Sequence, residues 1–363
     1  MIYWLPAILI LPYVAILLKI FRSLLKIVPF EITSIPTTFV SVVVACRNEQ
    51  KRLPHLLRSI SDQNYPEELF EVIIVDDNST DNTYEIASGH EERGNIVVVK
   101  NTGRGKKYAI GTGISKAIGN LIITTDADCR MGRNWIRTIA AFYELNNPDM
   151  IICPVQVEPM SGFFGRFQEL EFMSLQGITA GSVFQSQGTM CNGANLAFTK
   201  EAYLKNAGNL HFEIATGDDV FLLHSIKKQI GSKILWLESP HALVITSPAP
   251  NTCSYFRQRR RWISKSKAYT DSFSIILGII TFVAVVLQVS MLVAGIIDLA
   301  FLPGLLSVFL LKCIPDFFIL RNTTSRYGRK KLMNWFLPAQ IVYPFYVLGI
   351  LLYSLILPQR QEH

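Results

Sequence analysis

The chain is poor in charge and has no paired cysteines. Only 17% of its 363 residues are Asp, Glu, Lys or Arg, against roughly 25% in an ordinary soluble domain, which argues against a purely cytosolic protein. None of the six cysteines, at positions 46, 129, 153, 191, 253 and 313, stands in a CxxC or other paired spacing. That excludes a zinc pattern and a disulfide framework and suits a reducing compartment. The histidines lack ligand-like spacing, and no internal repeat or low-complexity segment is visible. Glycine (22) and proline (17) are at ordinary levels while bulky apolar residues abound, which argues against disorder and collagen-like structure. What the chain has instead is 50% hydrophobic residues, a mean hydropathy of +0.28 and a net charge of +7.

The hydrophobic residues are concentrated in runs. Residues 3–18 (YWLPAILILPYVAILL) are uncharged and are followed by Lys19, Arg22 and Lys26. Residues 273–297 are an uncharged run long enough to cross a bilayer, which takes about 20 helical residues. Residues 299–320 are apolar apart from Lys312 and Asp316, and residues 332–357 are again uncharged. The first run reads as a retained anchor: no positive segment precedes it, no small-residue cleavage site follows, and its basic residues lie beyond it. The expected division is an anchor over 1–26, a polar domain over 38–250, an interfacial segment over 251–270 and transmembrane helices over 271–357.

Basic side chains in short flanks stay on the cytoplasmic side. Lys19, Arg22 and Lys26 put the domain inside, and so does the cluster from Arg257 to Lys267 before the second run. The loop from Arg321 to Lys331 returns to that side, while the turn at Asp298 has no basic residue. The expected topology is N-terminus out, domain in, C-terminus out, in a bacterial plasma membrane. The basic clusters flank the membrane ends, so the expected partner is anionic lipid and not nucleic acid. Lys312 and Asp316, four apart, share a helix face. A neutralised pair facing other helices is favoured over contact with a lipid or glycan head group.

The polar block alternates strand and helix signals. Residues 39–45 (FVSVVVA), 72–75 (VIIV), 96–99 (IVVV) and 121–125 (LIITT) read as strands buried on both faces. Helices are expected over 49–63, over 80–88 with Ser79 or Thr80 near the cap, and over 108–117. This pattern means βαβ units and an α/β domain with parallel strands. Ligands of such sheets bind outside the carboxyl ends of the strands, and there the acids stand: Glu49 after the first strand, Asp76 and Asp77 after the second, Asp126 and Asp128 after the fourth. Turn and cap chemistry explains any one pair. Carboxylates converging from three strands call for a cation or a hydrogen-bonded ligand. Oxygen-only ligation suits magnesium or manganese shared with substrate phosphates, so the expected substrate is a nucleoside diphosphate compound.

Six segments then carry a resemblance: SVVVACRNE (41–49), EVIIVDDNSTDNT (71–83), GRGKKYAI (103–110), TTDADC (124–129), GDDVFL (217–222) and QRRRW (258–262). As an ordered set, with QxxRW ahead of a membrane run, they resemble the membrane-bound family 2 glycosyltransferases of GT-A fold. That group includes ceramide glucosyltransferases and processive polysaccharide synthases. The resemblance implies a Rossmann-like mixed sheet with one N-terminal and about three C-terminal transmembrane helices. It implies that Ala45, Arg47 and Glu49 line a nucleotide pocket, that Asp76 and Asp77 take the base and ribose, and that Lys106 approaches the diphosphate. Asp126 and Asp128 would hold a divalent cation, with Asp126 also near the sugar. Asp219 would be the general base, with Asp218 the second candidate, and one direct displacement would invert the anomeric centre. Gln258, Arg261 and Trp262 would bind the donor or acceptor side, while Arg259 and Arg260 are left to an interfacial helix. Residues 163–174 read as amphipathic and surface-lying, and Cys191 as a small buried thiol.

The expected activity is therefore transfer of a sugar from a nucleotide-sugar, a UDP-sugar by preference, to a membrane lipid hydroxyl at the cytoplasmic face. A processive polysaccharide synthase is the alternative within the class. A non-catalytic membrane scaffold or export partner is the alternative of another class, and a nucleotidyltransferase is disfavoured by QxxRW.

Overall fold

The computed structural model describes residues 5–214 and 216–356. The first two residues of the first apolar run, and Leu357 at the end of the last, lie outside the described residues. The described residues fall into two compact units. One takes Val28–Glu158 and Met190–Ser247; the other takes the described residues through Ile27, Pro159–Thr189 and those from Pro248 onward. Residues 159–189 thus lie inside the polar block in sequence but group with the apolar helices.

The first unit is built on ten strands among its described residues: β1 (Val40–Cys46), β2 (Phe70–Asp76), β3 (Ile96–Lys100), β4 (Leu121–Asp126), β5 (Arg130–Met131), β6 (Met150–Ile152), β7 (Val155–Val157), β8 (Leu196–Thr199), β9 (Ile234–Trp236) and β10 (Val244–Thr246). The larger sheet has the order β3-β2-β1-β4-β8-β6-β9, and the smaller β5-β10-β7. Strands β1 to β4 are parallel, while β8 runs antiparallel to β4 and β6, so the sheet is mixed. The valines at 42, 43 and 44 are fully buried, as continuous β-branched runs in a covered parallel sheet should be. Ala45 pairs with Val75 on one side and Asp126 on the other, and Cys46 with Asp76. Three strands therefore end level, and their acids share one edge.

The helices start later or earlier than the sequence suggests. That after β1 is Leu53–Ser61, and that after β2 is Thr83–Ser88 with Asn82 at its N-cap position. Ser79 and Thr80 do not cap it. Instead the Asn48 amide donates to Ser79 Oγ (3.0 Å), and Thr80 donates its backbone N–H to Asn48 Oδ1 (2.8 Å), interlocking two loops at the carboxyl edge. The helix after β3 is Lys106–Lys116, two residues longer at its start than its apolar periodicity predicts.

Among its described residues the second unit holds four helical segments long and apolar enough to cross a membrane: Pro6–Leu24, Ser272–Ile297, Leu299–Arg326 and Lys330–Ile356. The helix Gly162–Phe184 is packed among them. Phe167, Leu170, Phe172 and Met173 are all buried, so the segment expected to lie on a surface is an interior element. Two of its glycines allow close approach: a Cβ on Gly177 would fall 2.4 Å from Thr323 Oγ1, and one on Gly181 2.6 Å from the Ile20 carbonyl oxygen. Small residues at such crossings bring backbones together. Lys312 is buried, with Nζ 2.7 Å from Asp316 Oδ2 and 2.9 Å from Gln340 Oε1. Tyr13 donates its hydroxyl to Asp316 Oδ1 at 2.6 Å. This is the neutralised pair facing other helices.

Candidate active site

The acids at the carboxyl edge of the sheet have distinct surroundings. Asp77 is buried and fully used: Asn101 Nδ2 donates to it at 2.7 Å, and the Gly105 amide at 3.0 Å to each oxygen. It thereby fixes the loop leading to Lys106, where Gly105 takes φ +91°. Asp76 is buried as well. Its Oδ2 accepts from the Ser79 amide at 3.3 Å, but its Oδ1 has no hydrogen-bond partner among the described residues. A buried, unpaired acceptor is rare enough to point to a ligand or a local rearrangement.

Lys106 is the centre of the cluster. Its ammonium forms an ion pair with Asp126. Gly193 lies beside it: a Cβ there would be 3.7 Å from Lys106 Nζ, 3.7 Å from Asp219 Cβ and 3.9 Å from Asp218 Oδ2. Partial burial opposes the ammonium charge, but Asp126, Asp218 and Asp219 outweigh it and hold the lysine above its ordinary range. Asp218 and Asp219 open the helix Asp218–Lys227, where negative charge is favoured by the helix dipole. The Gly193 amide donates to Asp219 Oδ2 at 3.1 Å, and the Val220 amide to Oδ1 at 2.8 Å, so the carboxylate is aimed.

Asp128 is half-buried and accepts from Thr246 Oγ1 at 3.2 Å and the Ser247 amide at 3.4 Å, which the smaller sheet delivers. Burial, then the charge of Asp126, raises its pKa. Burial also raises that of Glu49, whose partner Arg52 at 3.3 Å works against the shift. Ala45 is half-buried at the end of β1, and Arg47 is exposed just beyond it. Among the described residues no group of three or more His, Cys, Asp or Glu is placed to hold a metal ion. The two carboxylates of Asp126 and Asp128 are hard oxygen donors. That set fits magnesium or manganese only when phosphate oxygens complete the shell.

Gln258, Arg261 and Trp262 belong to the other unit, on the helix Thr252–Ser266. Arg261 is exposed, and Gln258 and Trp262 are half-buried. Arg259, read from sequence as an interfacial charge, is only 5% exposed. Its guanidinium lies between the rings of Tyr255 (4.4 Å) and Trp262 (4.0 Å), pairs with Glu171, and donates to Gln258 Oε1 at 2.6 Å. Residues 255, 259 and 262 are four and three apart, so one helix face carries all three, a signal present in the sequence. Lys107 was also missed. It is buried and donates to the carbonyls of Leu210, His211 and Ile214, each at 2.7 Å. Cys191 is half-buried rather than buried.

Residues 41–207 match the profile of Glycosyl transferase family 2. An undecaprenyl-phosphate 4-deoxy-4-formamido-L-arabinose transferase of Proteus mirabilis is 41% identical over 93 residues, 24% of this chain and 28% of that protein. A poly-beta-1,6-N-acetyl-D-glucosamine synthase of Staphylococcus epidermidis is 26% identical over 332 residues, 81% of this chain and 77% of the relative. Several other matches are local, and the chain then spans only about a quarter of the curated relative's length. Among solved structures, a mannosyltransferase of Pyrobaculum calidifontis in complex with GDP-Man and Mn2+ superposes with a TM-score of 0.56 at 18% identity, covering 95% of this chain and 99% of that one. That likeness establishes the fold, and the mixed sheet with its edge of acids is the GT-A arrangement. The profile spans β1 through β8 and most of these acids, so residues 41–207 form a family 2 glycosyltransferase domain.

Proposed function

We propose that this protein is an inverting glycosyltransferase. It moves a sugar from a nucleotide-sugar, a UDP-sugar by preference, to a hydroxyl of a membrane lipid, with magnesium or manganese bound. The observation that carries the reading is the setting of Lys106 among Asp126, Asp218 and Asp219 at the carboxyl edge of the sheet. A fixed cation suits a diphosphate, and an aimed carboxylate beside it suits removal of a proton from an attacking hydroxyl.

In this reading Ala45, Arg47 and Glu49 line the nucleotide pocket. Asp76, which keeps an unpaired oxygen, takes the base, and Asp77 shapes the loop that presents Lys106. Asp219 is the general base, worth about 10²–10⁴-fold, with Asp218 as the alternative. Asp126 and Asp128 would hold the cation, which when bound offsets charge on the leaving diphosphate. Gln258, Arg261 and Trp262 are assigned to the donor on the resemblance of their motif. The basic flanks support a cytoplasmic catalytic domain, and the undecaprenyl-phosphate named for one relative supports a lipid acceptor.

The second reading is a processive polysaccharide synthase, favoured by the polysaccharide synthase match that spans most of both chains. The deciding experiment is nucleoside diphosphate release by the detergent-purified chain, offered UDP- and GDP-sugars with each metal, with and without total lipid. Release that needs lipid supports the first reading, and a lengthening product without lipid supports the second. Asp219→Asn should abolish release while UDP still binds. Undiminished biological function of that variant would favour a scaffold.

A further inference from the structure

Two lysines open the helix Lys106–Lys116, with no acid in its first turn. Positive charge there opposes the helix dipole, so each lysine must be answered elsewhere. Lys106 is answered by the acids. Lys107 is answered differently: its three donors converge on the carbonyls of Leu210, His211 and Ile214, and its ammonium stands 4.8 Å from the centre of the Phe221 ring. The His211 ring packs on the same phenyl at 4.8 Å, and His211 takes the left-handed φ of 54°.

These contacts all fall on one stretch of chain. Residues 210–214 lead into Gly217, at φ +94°, and then Asp218 and Asp219; Phe221 follows on the first turn of that helix. A buried ammonium has three strong donors and no acceptor capacity. Three carbonyl oxygens turned toward one point repel one another, and the ammonium offsets that repulsion; the His211 oxygen also accepts the Ile214 amide at 2.9 Å. We propose that Lys107 is a positioning residue for Asp218 and Asp219, gathering the 210–214 carbonyls so that the acids stand beside Lys106. Consecutive residues of one helix would then set the diphosphate side and the proton-accepting side of the reaction together. The inference rests on the reading of Asp219 as general base.

The test uses the full detergent-solubilised chain carrying Lys107→Met or Lys107→Arg. UDP with manganese probes binding, the donor turned over by the wild type probes kcat, and hydrogen exchange reports on residues 210–219. For Lys107→Met we expect kcat to fall about 100-fold, with UDP affinity within about threefold of wild type and faster exchange over 210–219. Lys107→Arg keeps the charge but not the convergent geometry, and should lose about tenfold in kcat with the same unchanged affinity. Should the Met variant fail to fold, the Arg variant reads the split alone. Unchanged kcat, or equal losses of kcat and UDP affinity with unaltered exchange, would overturn the proposal. A wild type that neither binds UDP nor releases nucleoside diphosphate sinks the glycosyltransferase reading instead. In that event unaltered exchange over 210–219 in the variants still overturns the anchoring role, and faster exchange supports it.

Discussion

Glu171 and Arg259 form an ion pair in which the side chains are 11% and 6% exposed, and Tyr255 and Tyr346 donate their hydroxyls to the same carboxylate at 2.8 and 2.7 Å. Three helices of the apolar unit meet at this one anion. Removing one member of a buried pair leaves the other uncompensated, at a cost of about 3–5 kcal/mol. Glu171→Leu should therefore lower the unfolding temperature sharply, and Glu171→Leu/Arg259→Met should recover part of the loss. Equal stability of the single variant and wild type in a thermal melt would show the pair to be incidental.

The same pair predicts a pH dependence. Burial pushes the Glu171 carboxyl up, but the charge and hydrogen bonds of Arg259, with those of the two tyrosines, bring it below its ordinary value. A depressed folded-state pKa gives stability that is complete above the unfolded value of about 4.3 and is lost as pH falls through the folded one. The stability gap between wild type and Glu171→Gln should be constant from neutral pH to about 5 and narrow below it. Melting curves across that range decide it; a gap that widens on acidification contradicts the assignment.

Lys106→Met separates function from stability. Both members of its pair keep substantial exposure, 41% and 32%, so the pair is screened and its loss should cost under about 1 kcal/mol. In the proposed reaction the diphosphate would lose a fixed cation in the same variant, and turnover should fall on the order of 100-fold. Parallel measurement of unfolding temperature and nucleoside diphosphate release checks both halves.

Gly181 has no room for a side chain, because the Ile20 carbonyl lies where a Cβ would be. Gly181→Val should cost about 1–3 kcal/mol through overpacking. Gly278, on another apolar helix, meets nothing within 4 Å, so Gly278→Ala should be neutral or stabilising. Detergent-stability assays of the two variants provide the contrast.

Much of this architecture was legible in the sequence, and the gaps have physical causes. β1 to β4 stand out because covered parallel strands are unbroken apolar runs. β6, β8 and β9 have three or four residues each, too few for any period to register. The acids of the edge were legible because aspartates cluster where strands end. The division of labour between Asp76 and Asp77 was not, since it depends on which one the Gly105 amide reaches. Residues 162–184 were read only in part: an interior helix has polar residues, such as Gln168 and Glu169, that look like a wet face until their partners are known.

The contact of Tyr13 with Asp316 joins positions 303 residues apart in the chain. A lysine or aspartate at the centre of a spanning helix costs about 2.5–3.5 kcal/mol on insertion scales, so the segment around Lys312 enters a bilayer poorly by itself. Among the described residues its polar groups are answered by Tyr13, on the first of the apolar helices, and by Gln340 and the Tyr343 ring, on the last of them. Closure of the membrane unit therefore waits for the helix that carries Gln340, and until it arrives Lys312 and Asp316 each lack a polar contact. A chain cut short before Gln340 should consequently be a substrate for membrane quality control rather than a smaller working protein.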